Sequence, residues 1–116
     1  MGYLLDTHVL IWMMEGDTRL SQQAREIILD ENNELKISVV SYWEMSIKRS
    51  LGKLQLKHAT PIFWNEAQNQ GIEILDIKID HLTALESLNF IHRDPFDRLL
   101  IAQSIVEDLT VITVDE

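Results

Sequence analysis

A chain of 116 residues, 46% hydrophobic and 25% charged, carries enough apolar side chain for one globular domain and too little for two independent cores, and its balance excludes a disordered chain. It has no cysteine, which excludes disulfides and thiolate metal sites. The formal net charge of -9 opposes general binding to a phosphate backbone, yet Lys48, Arg49, Lys53 and Lys57 fall between Glu44 and Glu66, where no acid occurs, so one face can be basic on an acidic protein.

Met1 to Leu10 carries Asp6 and lacks the basic start and long apolar core of a secretory signal. No apolar run approaches the ~20 residues that span a bilayer, so the expectation is a soluble, cytoplasmic protein. Tyr3-Leu4-Leu5 is a short apolar strand ending at Asp6. Leu10 to Met14 is apolar on every side of a short helix; core packing can use only part of that circumference, so the remainder is a candidate partner surface, against the equally plain reading of a buried helix. Leu20, Ala24, Ile27 and Ile28 keep one helical face.

Lys36 to Val40 is β-branched and reads as the second strand. Trp43, Ile47 and Leu51 then recur at i, i+4, i+8, which predicts a helix with these residues as its apolar face. Phe63 and Ala67 predict a further helix, closed by Gly71. Ile72 to Ile77 alternates as a strand, Pro95 to Glu107 is a deeply packed helix, and Thr110 to Val114 is a last β-branched strand. Strands alternating with helices predict an α/β fold: a three-layer α/β/α sandwich around a mainly parallel sheet of four to five strands, in a single domain spanning residues 1–116.

Open parallel sheets bind ligands beyond the carboxyl ends of their strands. Asp6 follows the first strand and Asp115 the last. Glu44 lies three residues after Ser41, in the expected first turn of the helix leaving the second strand, and Asp97 lies in the first turn of the helix starting at Pro95. Each acid has a plain structural explanation too. Ser41-x-x-Glu44 fits a capping box, Asp94-Pro95-Phe96-Asp97 fits an Asp N-cap with proline at the first helical position, and Asp6 and Asp115 fit solvated strand ends, Asp6 with no strong capping role.

Four acids on one rim are harder to explain in that way. Two carboxylates ~5 Å apart at an effective dielectric of ~20 repel by roughly 3 kcal/mol, so a cluster calls for protons or cations. Oxygen ligands without cysteine or a spaced histidine pair select hard ions such as Mg²⁺ or Mn²⁺, and the matching chemistry is phosphoryl transfer.

The stretches Leu4-Leu5-Asp6-Thr7-His8, Ser41-Tyr42-Trp43-Glu44 followed by Ile47-Lys48, His92-Arg93-Asp94-Pro95-Phe96-Asp97-Arg98-Leu99-Leu100-Ile101-Ala102, and Thr113-Val114-Asp115 resemble the PIN-domain endoribonucleases, specifically the VapC-type toxins of bacterial toxin–antitoxin pairs. The resemblance implies a PIN-like fold and a Mg²⁺- or Mn²⁺-dependent cut in single-stranded or loop RNA. It makes Asp6, Glu44, Asp97 and Asp115 the metal ligands. Thr7 and Thr113 would support them by hydrogen bonding, with Asp94 a nearby carboxylate ranked below Asp97. It also implies a homodimer captured by a cognate antitoxin. His8 departs from the Asn often found there in the family.

Lys48, Arg49, Lys53, Arg93 and Arg98 are candidates to guide RNA phosphates, against the plainer reading of a solvated helix face. Gly52-Lys53 lacks the rest of a phosphate loop, and His8, His58, His81 and His92 form no spaced pair. The rival classes are a catalytically silent PIN-like binding module and a phosphate-receiving regulatory α/β domain. The latter needs adjacent acids after an early strand, where Thr7 follows Asp6, and a lysine after the last strand, where Asp115 and Glu116 stand. A haloacid-type phosphatase needs a second aspartate where His8 stands.

Overall fold

Leu4 and Leu5 are both fully buried yet neighbour each other on one strand, so they face opposite sides of the sheet and the chain must cover both. The computed structural model describes residues 1–88 and 94–113. Strands β1 (Gly2–Leu5), β2 (Glu34–Ser38), β3 (Glu73–Leu75) and β4 (Thr110–Ile112) pair in parallel in the order β3-β2-β1-β4. Helices α1 (Thr7–Glu15) and α2 (Gln22–Leu29) join β1 to β2, α3 (Val39–Ser50) and α4 (Thr60–Asn69) join β2 to β3, and α5 (Ile79–Glu86) and α6 (Pro95–Glu107) lie between β3 and β4.

Leu5 packs with Val9, Leu10, Ile37, Met45 and Phe63 in the larger core, while Leu4 packs with Val40, Leu75, Leu99 and Leu100 in the other. This is the expected three-layer α/β/α sandwich. The chain steps from β1 through β2 to β3 in one direction, then returns past β1 to reach β4. Right-handed crossovers in opposite directions put their helices on opposite faces, which opens a crevice at the carboxyl ends of β1 and β4.

Three expectations need correction. β2 ends at Ser38, and Val39 and Val40 open α3 instead of extending the strand, because the Ser38 hydroxyl accepts from the Val40 N–H at 3.0 Å and caps the helix there. The Ser41–Glu44 capping box therefore does not form, and Glu44 lies in the second turn of α3. The helix also buries a different face: Val40, Ser41, Glu44 and Met45 are inside, while Trp43, Ile47 and Leu51 remain 46%, 40% and 61% exposed. The polar residues Ser41 and Glu44 can be inside because hydrogen-bonding partners meet them there, which hydrophobic periodicity cannot register.

Helix α5 was not foreseen, since Ile79 and Leu82 are exposed and its buried anchor is a histidine. His81 is fully buried; Nδ1 accepts from the Lys78 N–H (3.0 Å) and lies 3.2 Å from Gln103 Nε2, so the ring hydrogen sits on Nε2 and is donated to Glu107 (2.8 Å). The imidazole at the third helical position thus fills the part a glutamate plays in a capping box while it ties α5 to α6. His81→Ala is expected to cost on the order of 3 kcal/mol in chemical denaturation, from lost packing and orphaned donors; a cost under about 1 kcal/mol would show that the contact does not hold α5. The His81 hydrogen bond, with Lys78 beside it, lowers the Glu107 pKa from the usual carboxylate range. A depressed folded pKa contributes stability above the unfolded value, and that contribution is lost as pH falls through the folded one.

Candidate active site

The crevice beyond β1 and β4 is a cleft of about 370 Å³, and Asp6, Glu44, Lys48, Asp94, Asp97 and Thr113 all line it. Asp6 is set there by the sheet: its N–H donates to the Ile112 carbonyl at 2.9 Å, extending the β1–β4 ladder by one bond. Its carboxylate accepts from the Thr7 N–H at 2.7 Å, so Asp6 is the N-cap of α1. This corrects the expectation that Asp6 has no strong capping role. A residue that must leave a strand and start a helix one position later has few alternatives, and aspartate suits the position.

Burial pushes the Asp6 pKa up to about 6, the Thr7 N–H opposes this, the charges of Asp97 and Glu44 add to it, and His8 pulls the other way. Glu44 is only 3% exposed. One of its oxygens accepts from the Thr7 hydroxyl (2.6 Å), which is also hydrogen-bonded to the Ser41 hydroxyl (2.8 Å), and the other accepts from Lys48 Nζ (2.5 Å). Burial works against the charge on Lys48, but Glu44 first, then Asp94 and Asp97, outweigh it and hold the lysine pKa above its ordinary value.

Helix α6 supplies the opposite wall. Asp94 caps it, accepting from the Phe96 N–H (2.8 Å) and the Asp97 N–H (3.3 Å), with Pro95 at the first helical position. Asp97 faces the cleft from the first turn. Lys48 Nζ, 4.0 Å from Asp94, spans the gap between α3 and α6. The cleft therefore gathers four carboxylates, from the end of β1, the second turn of α3 and the start of α6, against one described lysine.

The other candidates are placed less centrally. Thr113 lines the cleft from an exposed position after β4. Arg49 donates to the His58 carbonyl (2.7 Å) and Arg98 to the Leu85 carbonyl (3.5 Å), and neither lines the cleft; Lys53 is exposed beyond the end of α3. Asp115, Arg93 and His92 lie outside the described residues. Two participants were not singled out for what they do here: Ser41, and Lys48 as the partner of Glu44. The second was signalled by the i, i+4 spacing of Glu44 and Lys48.

Among the described residues no three acidic or histidine side chains converge closely enough to enclose one ion. Glu44 turns its oxygens to Thr7 and Lys48, which is the arrangement of a cleft neutralising itself. The donor chemistry nonetheless fits a hard divalent cation: every donor is a carboxylate oxygen, and the Asp6 carboxylate, its pKa raised first by burial and then by the charges of Asp97 and Glu44, stands where a cation would favour its ionised form.

The chain is similar to known proteins over almost its whole length. The family model described as PIN domain matches residues 3–116. Ribonuclease VapC22 of Mycobacterium tuberculosis is 28% identical over 114 residues, covering 97% of this chain and 85% of that protein. Among solved structures, VapBC2 from Rickettsia felis bound to a DNA fragment from its promoter superposes with a TM-score of 0.72 at 17% identity, covering 99% of this chain and 89% of that one. A toxin–antitoxin complex from Klebsiella pneumoniae gives 0.64 at 21% identity, with 97% and 86% covered. The fold, the cleft at the β1–β4 switch point and the match over almost the whole length agree, and the chain belongs to the PIN domain family.

Proposed function

We propose that this protein is a divalent-metal-dependent endoribonuclease and the toxin of a VapC-type toxin–antitoxin pair. The observation that carries the reading is the crowding of Asp6, Glu44, Asp94 and Asp97 at one switch-point cleft, with the Asp6 pKa raised to about 6. A charge cluster that destabilises the fold is expected where a ligand of opposite charge binds. The names of the relatives, a ribonuclease and toxin–antitoxin complexes, favour RNA as the substrate and an antitoxin as the partner.

Asp6, Glu44, Asp97 and Asp115 would hold Mg²⁺ or Mn²⁺, directly or through water. When bound, the ion supplies positive charge to the phosphate and activates water for attack on phosphorus. The chain's own groups do the rest. Thr7 orients Glu44 through its hydroxyl, Asp94 fixes the start of α6 and so aims Asp97, and Lys48 is a cation already inside the cleft that can approach a phosphate oxygen when Glu44 is otherwise neutralised. Hydrolysis would join the water oxygen to phosphorus as the P–O bond to the ribose oxygen breaks, with one water proton ending on that ribose oxygen.

Two partly apolar grooves flank α1 and share Met13. One is lined by Trp12, Leu20, Ile28 and Leu29 with Asp17 and Arg25, the other by Met14, Ile62 and Phe63 with His58, Glu66 and Gln70, and they suit an antitoxin helix with an apolar face and polar flanks. Among the described residues no helix is long and apolar enough to cross a membrane, and the reading places the protein in the cytoplasm as a homodimer. Incubating the purified protein with single-stranded RNA should give discrete cuts with Mg²⁺ or Mn²⁺ and none with EDTA. Cutting that EDTA does not stop would refute the metal-dependent mechanism.

A further inference from the structure

Trp43 and Ile47 on α3, with Leu51 at its C-cap, form a stripe that remains exposed, and its aromatic end reaches the cleft's lysine through Phe96. Trp43 directly precedes Glu44. Its ring meets Phe96, which directly precedes Asp97, edge-to-face with centroids 4.8 Å apart at 76°. Lys48 joins this pair to the cleft, since Nζ bonds Glu44 and lies 5.9 Å from the Phe96 ring centroid. Phe96 is half-buried and held by the Asp94 cap at its own N–H, so it is a fixed support for the more exposed indole.

We propose that Trp43, braced by Phe96, is a stacking platform for one nucleobase of a single-stranded RNA, and that holding this base decides which phosphodiester reaches the carboxylates. The inference rests on the ribonuclease reading above and adds a substrate-positioning surface to it. An exposed indole offers a π-face to any base, at a gain that corresponds to roughly 5- to 100-fold in affinity. The charge around it suits a polyanion: Lys48 and Arg49 share the helix, Lys53 follows it, and no acid occurs between Glu44 and Glu66 on a chain whose net charge is -9. An apolar surface on a helix that carries Lys48 and Arg49, next to a carboxylate cleft suited to phosphoryl chemistry, complements a base stacked on one side and its phosphate chain leading into the cleft.

The test is a cycle on both partners. Cleavage of a short single-stranded RNA with Mn²⁺ is measured for the wild type, Trp43→Ala and Trp43→Phe, with one abasic ribonucleotide walked along the substrate. The expected result is a KM raised about 5- to 100-fold in Trp43→Ala with kcat within a few-fold, recovered largely by Trp43→Phe. At one abasic position the wild type should lose the same factor, and Trp43→Ala should lose nothing further there. Independent, multiplying losses at every position, or an unchanged KM in Trp43→Ala, would overturn the platform. So would a change from dimer to monomer in Trp43→Ala by light scattering with abasic substrates still penalised, which would assign the stripe to a second copy of the chain. If the wild type cuts no RNA, the ribonuclease reading fails by itself, and fluorescence anisotropy of the same intact and abasic oligonucleotides with the same variants still tests the platform.

Discussion

Asp6→Asn should abolish most RNA cleavage while making the metal-free protein more stable. The gain follows from the pKa. A carboxyl at about 6 in the folded protein against 3.8 unfolded binds its proton more tightly when folded, so its contribution is most favourable below about pH 4 and turns against folding as pH rises toward 6. Above that pH the ionised group costs about 2–3 kcal/mol. Asparagine removes the charge and keeps an oxygen for the Thr7 N–H, so the α1 cap survives. Thermal unfolding at pH 7 in EDTA should therefore show a higher midpoint for the variant, with the difference gone near pH 4. Cleavage should fall by on the order of 10²–10³-fold, the usual cost of removing one preorganised charge-stabilising group. A variant that is both less stable in EDTA at pH 7 and fully active would contradict the account.

Lys48→Met should be the most destabilising of the cleft substitutions in the absence of metal. Glu44 is almost wholly buried, and after the change only the Thr7 hydroxyl would face its charge. Removing one partner of a buried pair leaves an uncompensated carboxylate, which typically costs 3–5 kcal/mol. The lysine side chain is 30% exposed, so water can reach the gap and roughly 2–3 kcal/mol is the better expectation. Mn²⁺ should return more stability to this variant than to the wild type, since the ion takes over the neutralising charge. Denaturant titrations with and without Mn²⁺ read both effects. Equal stability of variant and wild type in EDTA would show that Glu44 does not depend on Lys48.

The parts of this fold that obey one local rule at a time were legible beforehand. Helix α6 starts at Pro95 and ends at Glu107 as expected, because the Asp-Pro cap and an apolar run point the same way. The parallel α/β order followed from short apolar runs alternating with helical periods. Where two rules competed, the local reading failed. Val39 and Val40 favour a strand, but the Ser38 cap starts α3. Trp43, Ile47 and Leu51 form the cleaner helical stripe, yet tertiary partners draw the polar Ser41 and Glu44 inward instead.

Asp6, Glu44 and Asp97 were singled out because acids at strand and helix ends share one rim of a parallel sheet, which topology alone predicts. The partners of Glu44 depend on geometry that spacing only suggests. Thr7 is 37 positions away in sequence, and the charge of Lys48 suits RNA as well as it suits Glu44 until the fold brings the two side chains together. His81 gave no signal because a buried histidine in a short helix has the sequence pattern of an exposed one.

The most direct test of the central claim, that the cleft carboxylates hold a divalent ion, is calorimetric titration of Mn²⁺ into the wild type, Asp6→Asn and Asp97→Asn. Saturable binding by the wild type that is weakened at least about tenfold in each variant is the predicted result. Binding of equal strength in all three proteins, or none in the wild type, would contradict it.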